Sequence, residues 1–180
     1  HDALPIYKMY QLTPNFPCNL ETLCLEKSKL KKIDELTKLT NLINLSLESN
    51  DIEELPEIAD WEKLKFVNFS QNKIKEMPPW FYRLSEVTAL CLRNNEIKSI
   101  DGIENLKQLK QLILDHNYIS ALPDSIDQLS NLRTIDISDN PITALPASMQ
   151  AMTQLEEVVC RGSQLKEKPY FLSEQVHFFA

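Results

Sequence analysis

The chain repeats itself. Seven segments start at Leu20, Leu42, Leu64, Val87, Leu109, Leu132 and Leu155, at spacings of 22, 22, 23, 22, 23 and 23 residues. Each opens on the pattern L-x-x-L-x-L-x-x-N-x-L. The ninth position reads Ser28, Asn50, Asn72, Asn95, Asn117, Asn140 and Ser163; the eleventh reads Leu30, Ile52, Ile74, Ile97, Ile119, Ile142 and Leu165. This feature constrains the fold more than any local propensity. A unit this short cannot bury its apolar side alone, so it must stack on copies of itself.

Within the first half of each unit apolar residues alternate, which predicts a strand with one buried side and one free side. Stacked copies then form a parallel sheet backed by a continuous core. The Asn falls where the chain leaves the strand. A side-chain amide both donates and accepts, so it can satisfy backbone groups in its own and adjacent coils, forming an internal ladder. Ser replaces it in the first and last units, where a neighbour is missing or is a cap.

The second half of the unit has two versions. Leu55-Pro56, Met77-Pro78, Leu122-Pro123 and Leu145-Pro146 open one; Ile33-Asp34-Glu35-Leu36 and Ile100-Asp101-Gly102-Ile103 represent the other. Proline fixes φ and donates no hydrogen bond, which suits a turn or a short helix entry. These stretches of about 10 residues are below the mean helix length, so little regular helix is expected.

Over residues 20–168 the chain resembles the leucine-rich repeat family, and the mixed Leu-Pro and Ile-Asp versions resemble its intracellular and bacterial members. The resemblance implies an α/β solenoid, a right-handed superhelix with a concave parallel sheet and convex turns or short helices. Residues 20–168 would hold seven repeats, the last incomplete. Residues 1–19 read as an N-terminal cap and 169–180 as a C-terminal cap or tail. In the latter, Tyr170, Phe171, Leu172, Val176, Phe178 and Phe179 can fold over the last coil or meet a partner.

Charge and motifs narrow the function. A net charge of −7 argues against nucleic acid, which needs an electropositive face. No apolar run approaches the roughly 20 residues of a membrane span, and no secretion signal opens the chain. The triplets at Asn44 and Asn68 that match a glycosylation acceptor fall within expected strands and read as chance. Of the four cysteines, Cys18, Cys24, Cys91 and Cys160, none forms C-x-x-C. Cys24 and Cys91 share a strand position three repeats apart, roughly 14 Å, too far to bond. Cys18 and Cys24 alone are close enough in sequence to pair. Cys160 takes an inward position. The set suits a reducing, cytosolic setting. No P-loop, nucleophile elbow or metal-binding spacing appears, and His116 reads as a surface-loop residue, so no catalytic group, metal or cofactor is expected.

The outward strand positions form three rows. The third position gives Thr22, Asn44, Phe66, Ala89, Gln111, Thr134 and Glu157; the fifth gives Cys24, Ser46, Asn68, Cys91, Ile113, Asp136 and Val159; the seventh gives Glu26, Glu48, Ser70, Arg93, Asp115, Ser138 and Arg161. Interface hot spots favour aromatic residues and Arg, which selects Phe66, Arg93, Tyr118 and Arg161, with Ile113 as an apolar neighbour. Glu48, Asp115, Asp136 and Glu157 would steer a basic or mixed-charge partner, and Asn68 and Gln111 complete the candidate set. Trp61 and Phe81 read as core, while Trp80, after Pro78-Pro79, is expected to be more exposed.

The function expected from the resemblance is a non-catalytic, monomeric protein–protein interaction module. It would hold a protein on its concave face, with no nucleic acid or membrane involved. One version is a bacterial effector, secreted into a host cell and engaging a host protein. The alternatives are the substrate-recruiting part of a larger enzyme such as a ubiquitin ligase, or a structural scaffold.

Overall fold

The computed structural model describes residues 19–57, 60–165 and 167–180. The expected N-terminal cap therefore lies outside the described residues except for Asn19, as does Cys18. Eight three-residue strands form one parallel sheet in sequence order: β1 Thr22–Cys24, β2 Asn44–Ser46, β3 Phe66–Asn68, β4 Ala89–Cys91, β5 Gln111–Ile113, β6 Thr134–Asp136, β7 Glu157–Val159 and β8 His177–Phe179. Equivalent positions pair directly, as in Asn44 with Phe66, Phe66 with Ala89 and Ala89 with Gln111. The inward residues between them, such as Leu45, Val67, Leu112, Ile135 and Val158, are wholly buried. Cys160 is buried at an inward position, and Cys24, Cys91 and Cys160 are free thiols.

The eighth strand comes from the segment read as cap or tail. His177 lies opposite Glu157, and Phe179 opposite Val159. Leu172 and Val176 are buried against the last coil. Lys168 Nζ ties the turn by donating to the carbonyls of Val176 (2.7 Å) and Glu174 (3.3 Å).

The Asn ladder is complete from Asn50 to Asn140. Asn95 is representative: its Nδ2 donates to the carbonyls of Phe69 and Leu92 at 3.0 Å and of Arg93 at 3.3 Å. Its Oδ1 accepts the Ile74 N–H at 3.0 Å. The carbonyls of Leu47, Phe69, Leu92 and Leu114 each accept from two asparagines, their own coil's and the next one's. One side chain type thus satisfies the buried backbone groups of two coils, as the sequence predicts.

The residue before each ladder position adopts a left-handed backbone: Lys27, Ser49, Gln71, Asn94, His116 and Asp139 at φ 51–58°, and Gly162 at 69°. Gly takes this conformation freely and Asn and Asp tolerate it, whereas Lys, Ser and Gln do not take it cheaply. Its recurrence at Lys27, Ser49 and Gln71 shows that tertiary hydrogen bonding outweighs local preference.

Both convex versions make the same bond. In one, the N–H groups of Phe81, Ile126 and Met149 reach the carbonyls of Pro78, Pro123 and Pro146; in the other, Leu36 and Ile103 reach Ile33 and Ile100. Five short 3₁₀ helices follow among the described residues, over Asp34–Lys38, Phe81–Arg83, Ile103–Asn105, Asp124–Gln128 and Ala147–Ala151. The three 23-residue spacings coincide with Pro78, Pro123 and Pro146, so in these units the proline turn takes the extra residue.

Trp80 corrects an expectation. It is only 5% exposed, because its Nε1 donates to the Pro56 carbonyl of the preceding coil at 2.8 Å. Its ring stands edge-on to Trp61, centroids 5.7 Å apart.

Charges alternate along one flank. At the tenth position Lys29, Asp51, Lys73 and Glu96 follow one another in successive coils. Lys73 Nζ meets Asp51 at 2.7 Å, and this ammonium holds the Asp51 carboxyl below its ordinary pKa.

Both glycines sit at positive φ, and Gly102 shows why. Its φ is 98°, and a Cβ there would stand 2.7 Å from Cδ2 of Tyr82. Burial and the nearby Asp101 and Glu104 carboxylates raise the Tyr82 pKa well above its ordinary value, so the ring stays neutral over the glycine. Gly102→Ala is expected to cost roughly 1–3 kcal/mol, the range for backbone strain of this kind. Thermal unfolding followed by circular dichroism checks it; an unchanged midpoint would mean that Tyr82 moves aside freely.

Candidate functional site

The three outward rows run across the strands as the repeat predicts, and β8 lengthens two of them by His177 and Phe179. Ladder hydrogen bonds fix the backbone beneath, so the face is preorganised and binding has little ordering cost.

The structure sorts the candidate residues. Phe66 is 40% exposed, a large apolar ring on open sheet. Gln111 is exposed, and Asn68, Ile113, Asp136 and Glu157 are half-buried on the same face. Glu48 is also half-buried; its Oε2 accepts from Asn68 Nδ2 and its Oε1 from Gln71 Nε2, both at 3.0 Å. Asp136 accepts the Ser138 N–H at 2.9 Å. Arg161 is exposed, its guanidinium 5.6 Å from the centre of the Phe179 ring.

Two candidates need revision. Asp115 is only 5% exposed. Its Oδ2 receives Arg93 Nε and His116 Nδ1, each at 3.0 Å, while His116 Nε2 stands 3.3 Å from Asp139. Asp115 thus holds Arg93 and the turn in place, rather than waiting for a partner. Arg93 itself keeps a side-chain exposure of 56%. Tyr118 is 60% exposed but lies after the left-handed turn, off the strand rows. There it lines a flank depression of about 320 Å³ with Lys75, Glu76, Glu96, Lys98 and Ser99.

Sequence reasoning passed over Ala89 and Cys91, whose importance is their small size between Phe66 and Ile113. The register that aligns them was legible in the spacing. Cys91 Sγ lies 2.9 Å from Ser70 Oγ. Burial and the Glu26 carboxylate push the Cys24 thiol pKa up, which disfavours a reactive thiolate there. Among the described residues no group of three His, Cys, Asp or Glu is arranged to hold a metal, and no helix is long and apolar enough to cross a membrane.

Comparison with known proteins gives a consistent result. A family model described as leucine rich repeat matches residues 62–119 and 107–165. A leucine-rich repeat protein of Leptospira interrogans superposes with a TM-score of 0.79 and 33% identity over 85% of this chain. An internalin from Listeria monocytogenes superposes with a TM-score of 0.73 over 81% of this chain; at 23% identity it speaks for the fold alone. The chain spans 40% and 42% of the lengths of these two structures. No match was found among curated proteins.

Proposed function

Because this chain belongs to the leucine-rich repeat family, whose model matches more than half of it, we propose that it is a protein-interaction module holding a protein partner on its concave sheet. Repeat arrays of this kind commonly serve as such modules, and the reading is non-catalytic. The observation that carries it is the apolar strip Phe66, Ala89, Cys91 and Ile113, which runs diagonally over three hydrogen-bonded strands with Phe66 40% exposed. A rigid sheet that leaves an aromatic ring in water at its centre has the makings of a hot spot.

A second reading, an effector that engages a host protein, draws support from the bacterial source of the Leptospira structure that is 33% identical. The free thiols are in keeping with a reducing compartment.

Affinity capture from host-cell and bacterial extracts tests both readings. The blocking variant is Phe66→Ala combined with Ile113→Arg. Arg93 is left alone, since its removal would strand the buried Asp115 carboxylate. Wild type is expected to retain specific proteins at least tenfold over the variant, and the effector reading expects them from the host extract. Equal recovery by both would remove the concave face from consideration.

A further inference from the structure

The outward residues of β4, Ala89 and Cys91, are small. Phe66 stands in register beside Ala89 on β3, and Ile113 beside Cys91 on β5. Ala89 thus lies between Phe66 and Gln111, and Cys91 between Asn68 and Ile113, so β4 is a low strand between longer side chains, a notch one strand wide whose apolar walls, Phe66 and Ile113, stand at diagonal corners. Further along the same face, Asp136 on β6 and Glu157 on β7 project from adjacent strands, and both are half-buried. Neither forms an ion pair among the described residues, although Asp136 takes one backbone N–H. Arg161, the cation of the adjoining row, lies over the Phe179 ring instead.

The other outward acids are differently placed. Asp115 is neutralised by Arg93, both oxygens of Glu48 accept amide hydrogens, and Glu26 accepts from Cys24 and Ser46 at 3.1 and 3.2 Å. Among the described residues Glu26 and Glu48 also lack a cation, but they lie on the β1–β2 side and accept donors within the sheet; Asp136 and Glu157 are the neighbouring acids without a cation on the β8 side of the notch. Ser138, the next outward residue after Asp136, has a buried hydroxyl without a hydrogen-bond partner.

Parallel strands lie about 4.8 Å apart, so the gap from β4 to a point between β6 and β7 is about 12 Å. An extended chain advances about 3.3 Å per residue and returns to the same side at every second residue. Residues i and i+4 of an extended segment therefore face the same way about 13 Å apart, which matches the gap. We propose that this face takes an extended segment of a protein partner laid across the strands. That segment places one aliphatic or aromatic side chain over Ala89 and Cys91 and a Lys or Arg, four residues away, between Asp136 and Glu157. The inference rests on the concave-face reading above and specifies its partner.

The test is selection of a random dodecapeptide display library on immobilised wild-type chain, followed by titration of the synthetic consensus peptide. Titrations use wild type, Ala89→Trp and the double variant Asp136→Asn/Glu157→Gln. Circular dichroism establishes that each variant keeps the wild-type fold, with Cys91→Arg as a second block of the notch should Ala89→Trp not fold. The expected consensus has an apolar residue and a Lys or Arg at a spacing of four. Ala89→Trp should weaken its binding at least tenfold. The double variant should abolish the preference for Lys over Gln and the loss of affinity in salt. Peptides blocked by Ala89→Trp but lacking the basic residue would overturn this inference and leave the concave-face reading intact. Peptides that bind all variants equally would overturn both. A selection that enriches nothing would overturn the peptide inference alone, since capture from extracts judges the face separately.

Discussion

Asn95→Ala is expected to lower the unfolding free energy by about 3–4 kcal/mol. The substitution leaves the Ile74 N–H, in a wholly buried residue, without its acceptor, and an orphaned buried donor costs about 1–3 kcal/mol. It also removes the amide donations to the Phe69 and Leu92 carbonyls. Those carbonyls keep one bond each, from Asn72 and Asn117, so this part of the loss is nearer the net value of about 1 kcal/mol per bond. Asn95→Asp separates the two contributions. Its carboxyl can still accept the Ile74 N–H, but when ionised it faces carbonyl oxygens, which raises its folded-state pKa. A group whose pKa is raised on folding contributes stability at low pH that is lost as pH rises through the folded value. Asn95→Asp should therefore recover stability relative to Asn95→Ala between pH 7 and about pH 5. Urea titration at both pH values measures this. A loss under about 1 kcal/mol for Asn95→Ala would mean that water replaces the amide, and that the ladder is dispensable.

Trp61→Ala should cost about 3–5 kcal/mol, the range for removing a large aromatic side chain from a packed core. Trp61 has no exposed surface and supports the edge-on Trp80 ring. Its Nε1 donates to the Leu36 carbonyl at 3.2 Å, but that oxygen also takes the Leu39 N–H. The cost is therefore one of packing more than of a stranded polar group. Trp61→Phe keeps an aromatic contact and should lose only about 1–2 kcal/mol. Tryptophan emission gives an independent readout, since Trp80 is then the sole tryptophan and should shift to the red as its cover is lost. Equal stability of the Ala and Phe variants would contradict the packing described.

The sheet, its register and the Asn ladder were legible in the sequence because one physical problem recurs at a fixed interval with the same chemistry. What escaped depends on contacts that do not recur. Trp80 donates to a carbonyl of the preceding coil, as Ser148 does at the equivalent place, but only the indole brings a ring that packs edge-on against Trp61. The strand at His177–Phe179 follows β7 by a shorter interval than the repeat, so periodicity could not reveal it. Asp115 looked like an outward acid by alternation alone. The last outward position borders the left-handed turn, where Arg93 and His116 converge on it. Tyr118 was misplaced for a related reason: one residue past the ladder Asn, the chain has already left the sheet.

The alternating flank charges guard against a hazard of self-similar coils, the docking of a coil on the wrong neighbour. Stacked in order, Lys29, Asp51, Lys73 and Glu96 place each charge beside its opposite. If one coil were skipped, Lys29 would face Lys73 and Asp51 would face Glu96. The aliphatic part of the core discriminates little against that mistake, since its Leu, Ile and Val recur at the same positions from coil to coil, which leaves the task to the aromatic contacts and to the flank. The flank disfavours it, and so tells odd coils from even ones, a distinction that the repeat itself does not carry.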